Sequence, residues 1–155
     1  IIDDLKKGKV IGLVSDAGTP GISDPGYLIV KNCLENDIEV ECLPGPTALI
    51  PAIVISGIPS ERFSFEGFLP MKKGRKKRLE DLSREKRTMV FYESPHKISK
   101  TLYDLKVHFG KDRKVSVSKE LTKIHESTTR GTLGSISLGN GKIRGEFVIV
   151  VEGLK

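Results

Sequence analysis

Three observations predict an α/β protein of two lobes. Short apolar runs alternate with helix-compatible segments along the chain, a Gly- and Pro-rich dodecapeptide follows the first apolar run directly, and Gly, Pro and charge interrupt the pattern at 57–62. The expected architecture is the C-terminal part of a parallel α/β lobe over residues 1–60, then a mixed-sheet α/β lobe over residues 61–155.

In the first lobe Lys9–Ser15 reads as a buried strand, Tyr27–Glu35 as a helix and Ile38–Leu43 as a second strand. Pro46–Ile55 reads as an apolar helix with Pro46 in the first turn, where proline is favoured, and Pro51 is expected to kink or restart it. The second lobe has expected strands at Phe63–Phe68, Thr88–Glu93, Lys114–Lys119 and Glu146–Glu152. Helices are expected at Arg75–Glu85 and Pro95–Val107, the latter with Ile98, Leu102 and Leu105 at helical spacing and Ser94 as N-cap before Pro95. Leu121–Thr128 reads as a short helix, and Gly131–Gly145, with five glycines, as turns around a weak strand.

At 155 residues and 37% hydrophobic content the chain can bury one sizeable core or two small ones. It contains no apolar stretch near the ~20 residues of a membrane span and opens on no basic-then-apolar leader, so a cytoplasmic protein is expected. Cys33 and Cys42 have neither metal-knuckle nor redox-pair spacing, and both fall in expected core elements as buried thiols. Three histidines without ligand spacing argue against zinc, and His108 and His125 read as surface or packing residues.

Charge is unevenly divided. Residues 1–71 hold 5 Lys and Arg against 10 Asp and Glu, a balance of −5, while residues 72–155 hold 21 against 10, a balance of +11. Six cations stand in seven positions at Lys72-Lys73-Gly74-Arg75-Lys76-Lys77-Arg78, enough to contact several phosphates of a nucleic acid. A solvated helix start, balanced by Glu80, Asp81 and Glu85, is the alternative reading.

The dodecapeptide Ser15-Asp16-Ala17-Gly18-Thr19-Pro20-Gly21-Ile22-Ser23-Asp24-Pro25-Gly26 sits where α/β proteins bind ligands. It lacks the dinucleotide glycine fingerprint, and Tyr27 and Leu28 stand where a P-loop needs Lys and Ser or Thr. Asp16 and Asp24 would repel phosphate but can receive an ammonium or a hydroxyl. An ordinary strand-to-helix connection with capping Asp residues is the alternative.

That loop resembles the signature of the tetrapyrrole methylase superfamily, and of its ribosomal RNA branch in particular. The blocks Leu43-Pro44-Gly45-Pro46-Thr47-Ala48, Ser56-Gly57-Ile58-Pro59, Phe65-Glu66-Gly67-Phe68-Leu69-Pro70, Phe91-Tyr92-Glu93-Ser94-Pro95-His96, Lys119-Glu120-Leu121-Thr122-Lys123 and Gly145-Glu146-Phe147 are similar to that branch's other blocks, in the same order. Family members begin with a strand and a Gly-Thr-Pro-Ile-Gly-Asn type loop that is not found ahead of Ile1, so a truncated piece is expected.

The resemblance implies a two-lobed tetrapyrrole-methylase fold, S-adenosylmethionine as cofactor, and methyl transfer to a cytidine 2'-hydroxyl of 16S ribosomal RNA in the 30S subunit by a homodimer. It implies cofactor contacts from Ser15, Asp16, Ala17 and Gly18 to the methionine portion, from Pro46, Thr47 and Ala48 at a helix start, and from Leu121, Gly145 and Glu146 on the adenine side. Lys72, Lys73, Arg75, Lys76, Lys77 and Arg78 become the RNA surface. Glu93, His96, Glu120 and Lys123 are candidates for the base that takes the hydroxyl proton, with capping or ion pairing as the alternative. A small-molecule tetrapyrrole-type methylase, which has no need of the cation run, and a noncatalytic RNA-binding fragment are the competing functions.

Overall fold

The computed structural model describes residues 1–139 and 143–155. The chain divides into two units, Ile1–Thr47 and Ala48–Lys155.

The first unit carries two helices, α1 (Ile2–Lys6) and α2 (Tyr27–Leu34). The sequence reading did not anticipate α1, which is only five residues long. Asp3 and Asp4 in its first turn and Lys6 in its last match the helix dipole, and Lys9 Nζ lies 2.6 Å from Asp4 Oδ1. The expected strands Lys9–Ser15 and Ile38–Leu43 do not form: among the described residues neither segment joins a ladder. Val10 is 99% and Val14 86% exposed. Apolar content predicts burial, but an extended segment becomes a strand only when a neighbour takes its N–H and C=O groups. For the same reason Cys42 is exposed, contrary to expectation, while Cys33 on α2 is buried.

The second unit runs α3 (Leu49–Ser56), β1 (Phe63–Gly67), α4 (Arg75–Leu82), β2 (Thr88–Glu93), α5 (Ile98–Phe109), β3 (Lys114–Lys119), β4 (Ser127–Thr132) and β5 (Phe147–Val151). Its five-stranded sheet has the order β1-β2-β5-β3-β4, with β1 parallel to β2 and every other pair antiparallel. All five residues of β5 are buried, as the continuous apolar run Phe-Val-Ile-Val-Val of a central strand requires.

Side-chain alternation gives the sheet two apolar faces. Met89, Phe91, Val115, Val117, Phe147, Ile149 and Val151 join Leu79 and Leu82 of α4 and Ile98, Leu102, Leu105 and Phe109 of α5 in one core. Val90, Val148 and Val150 join Leu49, Ala52 and Ile53 of α3 in the other. Because α3 packs on this sheet, the two units part after Thr47, upstream of the expected 57–62 boundary.

Several local expectations are corrected. The helix expected from Pro46 begins at Leu49, and Pro46 instead accepts a 2.8 Å hydrogen bond on its carbonyl from Thr19 Oγ1. Pro51 neither kinks nor restarts α3: it stands third in the helix, where its missing N–H has no intrahelical acceptor to lose. Ser94 is not the cap of α5. Its carbonyl accepts 3.1 Å bonds from the N–H groups of Lys97 and Ile98 in a turn, and the helix starts at Ile98.

The expected helix at Leu121–Thr128 is replaced by a turn and the edge strand β4, whose Ser-Thr-Thr-Arg-Gly-Thr sequence shows no apolar alternation. Its ladder to β3 and the 3.0 Å Ser118–Thr128 hydroxyl pair hold it. Within Gly131–Gly145 the described residues form a turn at 133–135 and no strand beyond β4; the part of that segment at 140–142 lies outside the described residues.

Replacing Ile149, which is fully buried on β5, by Ala is expected to lower stability in urea denaturation by about 2–5 kcal/mol. Val10→Ala is expected to shift it by less than ~0.5 kcal/mol, because Val10 has no core contact to lose.

Candidate functional site

Strand direction collects four of the sequence blocks at one end of the second unit's sheet. β1 runs parallel to β2, and β5 is antiparallel to both β2 and β3, so the carboxyl ends of β1, β2 and β3 meet the amino end of β5. Glu93, Phe147 and Lys119 lie side by side in the register. The blocks Phe65–Pro70, Phe91–His96, Lys119–Lys123 and Gly145–Phe147 therefore share one rim, the end at which open α/β sheets bind ligands.

A charged knot forms where β3 meets β5. Glu120 Oε1 accepts bonds from the Glu146 N–H at 2.8 Å and from Lys123 Nζ at 3.3 Å, and Lys123 Nζ lies 3.0 Å from Glu146 Oε2. The Glu120 N–H in turn donates to the Glu146 carbonyl at 3.0 Å. Glu120 and Thr122 adopt φ of 52° and 66°, a left-handed backbone uncommon outside glycine. Gly145 has φ +93°, and a Cβ there would lie 2.6 Å from Glu120 Cγ, so glycine both suits the backbone and leaves the Glu120 side chain its place in the knot.

The knot sets two ionisations. The Glu146 N–H, then Lys123, holds the Glu120 carboxyl below the usual carboxylate range. The Glu146 and Glu120 carboxylates hold the Lys123 ammonium above its usual value. Glu120, Lys123, Gly145 and Glu146 are thus brought together, with Leu121 buried between Glu120 and Thr122 in the chain.

Glu93 is committed elsewhere. It is 5% exposed, and its Oε1 accepts the Ser94 N–H while its Oε2 accepts the Thr101 hydroxyl, both at 2.7 Å. Thr101 Oγ1 accepts a 2.8 Å bond from Arg75 Nη2; Arg75 Nε is 2.9 Å from Asp104 Oδ2, and Nη1 donates to the Pro70 carbonyl at 3.1 Å. Thr101 and Asp104 were invisible to sequence reasoning, since nothing marks which turn of α5 faces an arginine on α4. Beside this network Ser94 Oγ is buried with no partner among the described residues, and His96 is exposed.

The cation run is therefore split. Arg75 is 9% exposed and belongs to the interior network, apart from the cations it was grouped with. Arg78 pairs with Glu66, and Lys76 lies 3.8 Å from Glu80 on an exposed face. Lys72, Lys73 and Lys77 are exposed and enter no ion pair among the described residues.

In the first unit Ser15 Oγ donates to the carbonyls of Gly18 at 3.1 Å and Ala17 at 3.4 Å, folding the loop back on itself. Asp16, Ala17 and Gly18 are exposed. Gly18 has φ +84°, and a Cβ there would lie 3.9 Å from the Pro46 carbonyl oxygen. Together with the Thr19–Pro46 bond this brings Ser15–Gly18 beside Pro46. Ala48 heads the second unit next to α3.

The family model described as Tetrapyrrole (Corrin/Porphyrin) Methylases matches residues 1–137. The chain is 44% identical over 155 residues to the ribosomal RNA small subunit methyltransferase I of Mycobacterium tuberculosis, covering 99% of this chain and 54% of that protein. It is 48% identical over 158 residues to the protein of the same name from Xylella fastidiosa, covering 99% and 58%. The chain spans about half the length of these curated relatives. In fold it is similar to the methyltransferase CobJ, with a TM-score of 0.71 at 20% identity over 98% of this chain and 68% of that one. A uroporphyrin-III C-methyltransferase from Thermus thermophilus, solved with S-adenosylhomocysteine, gives 0.59 at 18% identity over 87% and 62%.

The knot predicts a pH profile. Glu120 is shifted down, so its stabilisation is complete above the ordinary carboxylate value of 4.5 and fades as pH falls through its lowered value. Lys123 is shifted up, so its contribution is complete below 10.5 and fades as pH rises through its raised value. Thermal unfolding followed against pH is expected to show an acid-side loss that Glu120→Gln removes in part, and an alkaline-side loss that Lys123→Met removes in part.

Proposed function

The chain belongs to the tetrapyrrole methylase family, and from that premise we propose that it is an S-adenosylmethionine-dependent methyltransferase acting on a cytidine 2'-hydroxyl of 16S ribosomal RNA. The observation that carries the reading is the gathering of four sequence blocks on one sheet rim, one of which runs directly into exposed lysines. Lys72, Lys73, Lys76 and Lys77 favour a polyanionic substrate over a small tetrapyrrole. We further propose a cytoplasmic homodimer acting on the 30S subunit.

The residues suit such a cofactor. Gly18 presents bare backbone, Ser15 stiffens the loop through the carbonyls it bonds, and the exposed Asp16 carboxylate can receive an ammonium. We propose Ser15, Asp16, Ala17 and Gly18 as contacts to the methionine portion, Pro46, Thr47 and Ala48 as further cofactor contacts, and Leu121, Gly145 and Glu146 as contacts on the adenine side. When bound, S-adenosylmethionine supplies a methyl group already activated by its sulfonium charge.

What remains for the protein is to hold the ribose hydroxyl in line, keep water out and accept a proton. Glu93 has both oxygens bonded in the interior, Glu120 is weakened as a base by its lowered pKa, and Lys123 is held protonated. Exposed beside the rim and outside both networks, His96 is the proposed proton acceptor, and Lys123 holds Glu120 and Glu146 together on the same rim.

Calorimetric titration with S-adenosylhomocysteine is expected to show saturable binding that Asp16→Ala weakens ~10-fold, about 1.4 kcal/mol. Absence of binding, or indifference to Asp16→Ala, would remove the loop from the cofactor site. In methyl transfer to 30S subunits His96→Ala is expected to lower kcat by roughly 10²-fold, with KM for the subunit little changed. An unchanged kcat would exclude His96 as the acceptor.

A further inference from the structure

Where β1 leads into α4 the surface forms an open recess of about 420 Å³. That volume falls in the range of small-ligand sites. Phe68 forms one wall, Pro70 lies beside it, and Lys77, Arg78, Asp81 and Glu66 supply the polar lining. None of the proposed cofactor or proton-transfer residues borders it.

Two features define what fits. Phe68 is 58% exposed yet braced: its ring meets Tyr92 edge-on at a centroid distance of 5.9 Å, Tyr92 meets Phe65 at 4.9 Å, and the Tyr92 hydroxyl accepts the Leu49 N–H at 3.2 Å. An exposed aromatic ring braced by Tyr92, which Phe65 and the Leu49 N–H hold in turn, is a stacking surface with little freedom left to lose. The lining carries two positive and two negative groups, with Arg78 bonded to a Glu66 side chain that is only 6% exposed. Such a recess has no excess charge for a phosphate. The excess lies on the rim, where Lys72 and Lys73 stand in the chain between Pro70 and Gly74, both lining residues.

We infer that this recess binds a single unpaired nucleotide of the RNA, its base stacked on Phe68 and its flanking phosphates on Lys72 and Lys73. The inference rests on the RNA-methyltransferase reading and adds a strand preference to it. A base can enter only if it is free of a duplex, so the protein selects single-stranded or splayed RNA. The recess opens where β1 leads into α4, and His96 follows the end of β2, the next strand of the sheet, so the nucleotide held here is a neighbour of the one presented to His96.

The test is fluorescence anisotropy with a short labelled single-stranded oligo(C) and with the same strand in a duplex. Phe68→Ala and Phe68→Leu are expected to weaken single-strand binding about 5- to 150-fold, the effect of losing one base–aromatic stack, and Phe68→Trp to preserve it. Duplex binding should not respond to any of the three. Lys73→Ser is expected to weaken both probes and reduce the salt slope by ~0.7–1. Wild-type affinity in Phe68→Ala alongside a weakened Lys73→Ser would overturn the nucleotide recess and leave the RNA reading standing. Failure of the unsubstituted protein to bind either probe would sink both, while S-adenosylhomocysteine titration reports separately on the methyl-donor part.

Discussion

The register of β5 is the constraint on which the rest of the second unit depends. Five buried apolar residues pair on both sides, aligning Phe147 with Glu93 on β2 and with Lys119 on β3. A slip of one residue would turn Phe147, Ile149 and Val151 from the α4–α5 face to the α3 face and exchange the two cores. The same slip would carry Glu146 away from Glu120 and open the knot with Lys123. Packing therefore sets the alignment and the rim inherits it: the apolar run fixes the position of the polar groups at its end.

Arg75 connects the cationic helix to that rim. Removing one partner from a buried charge network costs about 3–5 kcal/mol, because a charge is left without compensation. Here the guanidinium has Asp104, Thr101 and the Pro70 carbonyl, and Thr101 passes the contact to Glu93 at the end of β2. The start of α4 is thereby tied to the sheet end from within, while Lys72, Lys73, Lys76 and Lys77 remain outside. The six cations within residues 72–78 are thus divided, and the exposed ones owe their placement to the one that is buried.

The first unit illustrates a different dependence. Its loop holds shape through bonds within the unit, Ser15 to the Ala17 and Gly18 carbonyls nearby and Thr19 to the Pro46 carbonyl further along the chain, so the loop needs no sheet around it to be defined. The extended segments on either side of α2 need partners that the described residues do not provide, and Val10 and Val14 face outward as a result. Local hydrogen bonds and sheet formation are separable here because they draw on different backbone groups.

By itself the sequence determined the α/β class, β2 and β3 to the residue, and the blocks that carry the family resemblance. These follow from local order: apolar runs, helical spacing and turn residues are properties of neighbours in the chain. Only the tertiary structure decided that Arg75 and Glu93 belong to the interior, that Ser-Thr-rich β4 is an edge strand, and that Lys9–Ser15 and Ile38–Leu43 stay out of any ladder. It also decided that Glu120, Lys123 and Glu146 meet. The physical reason is common to all four: each depends on a partner distant in sequence, and neither charge nor hydropathy at a position states which partner the fold will bring.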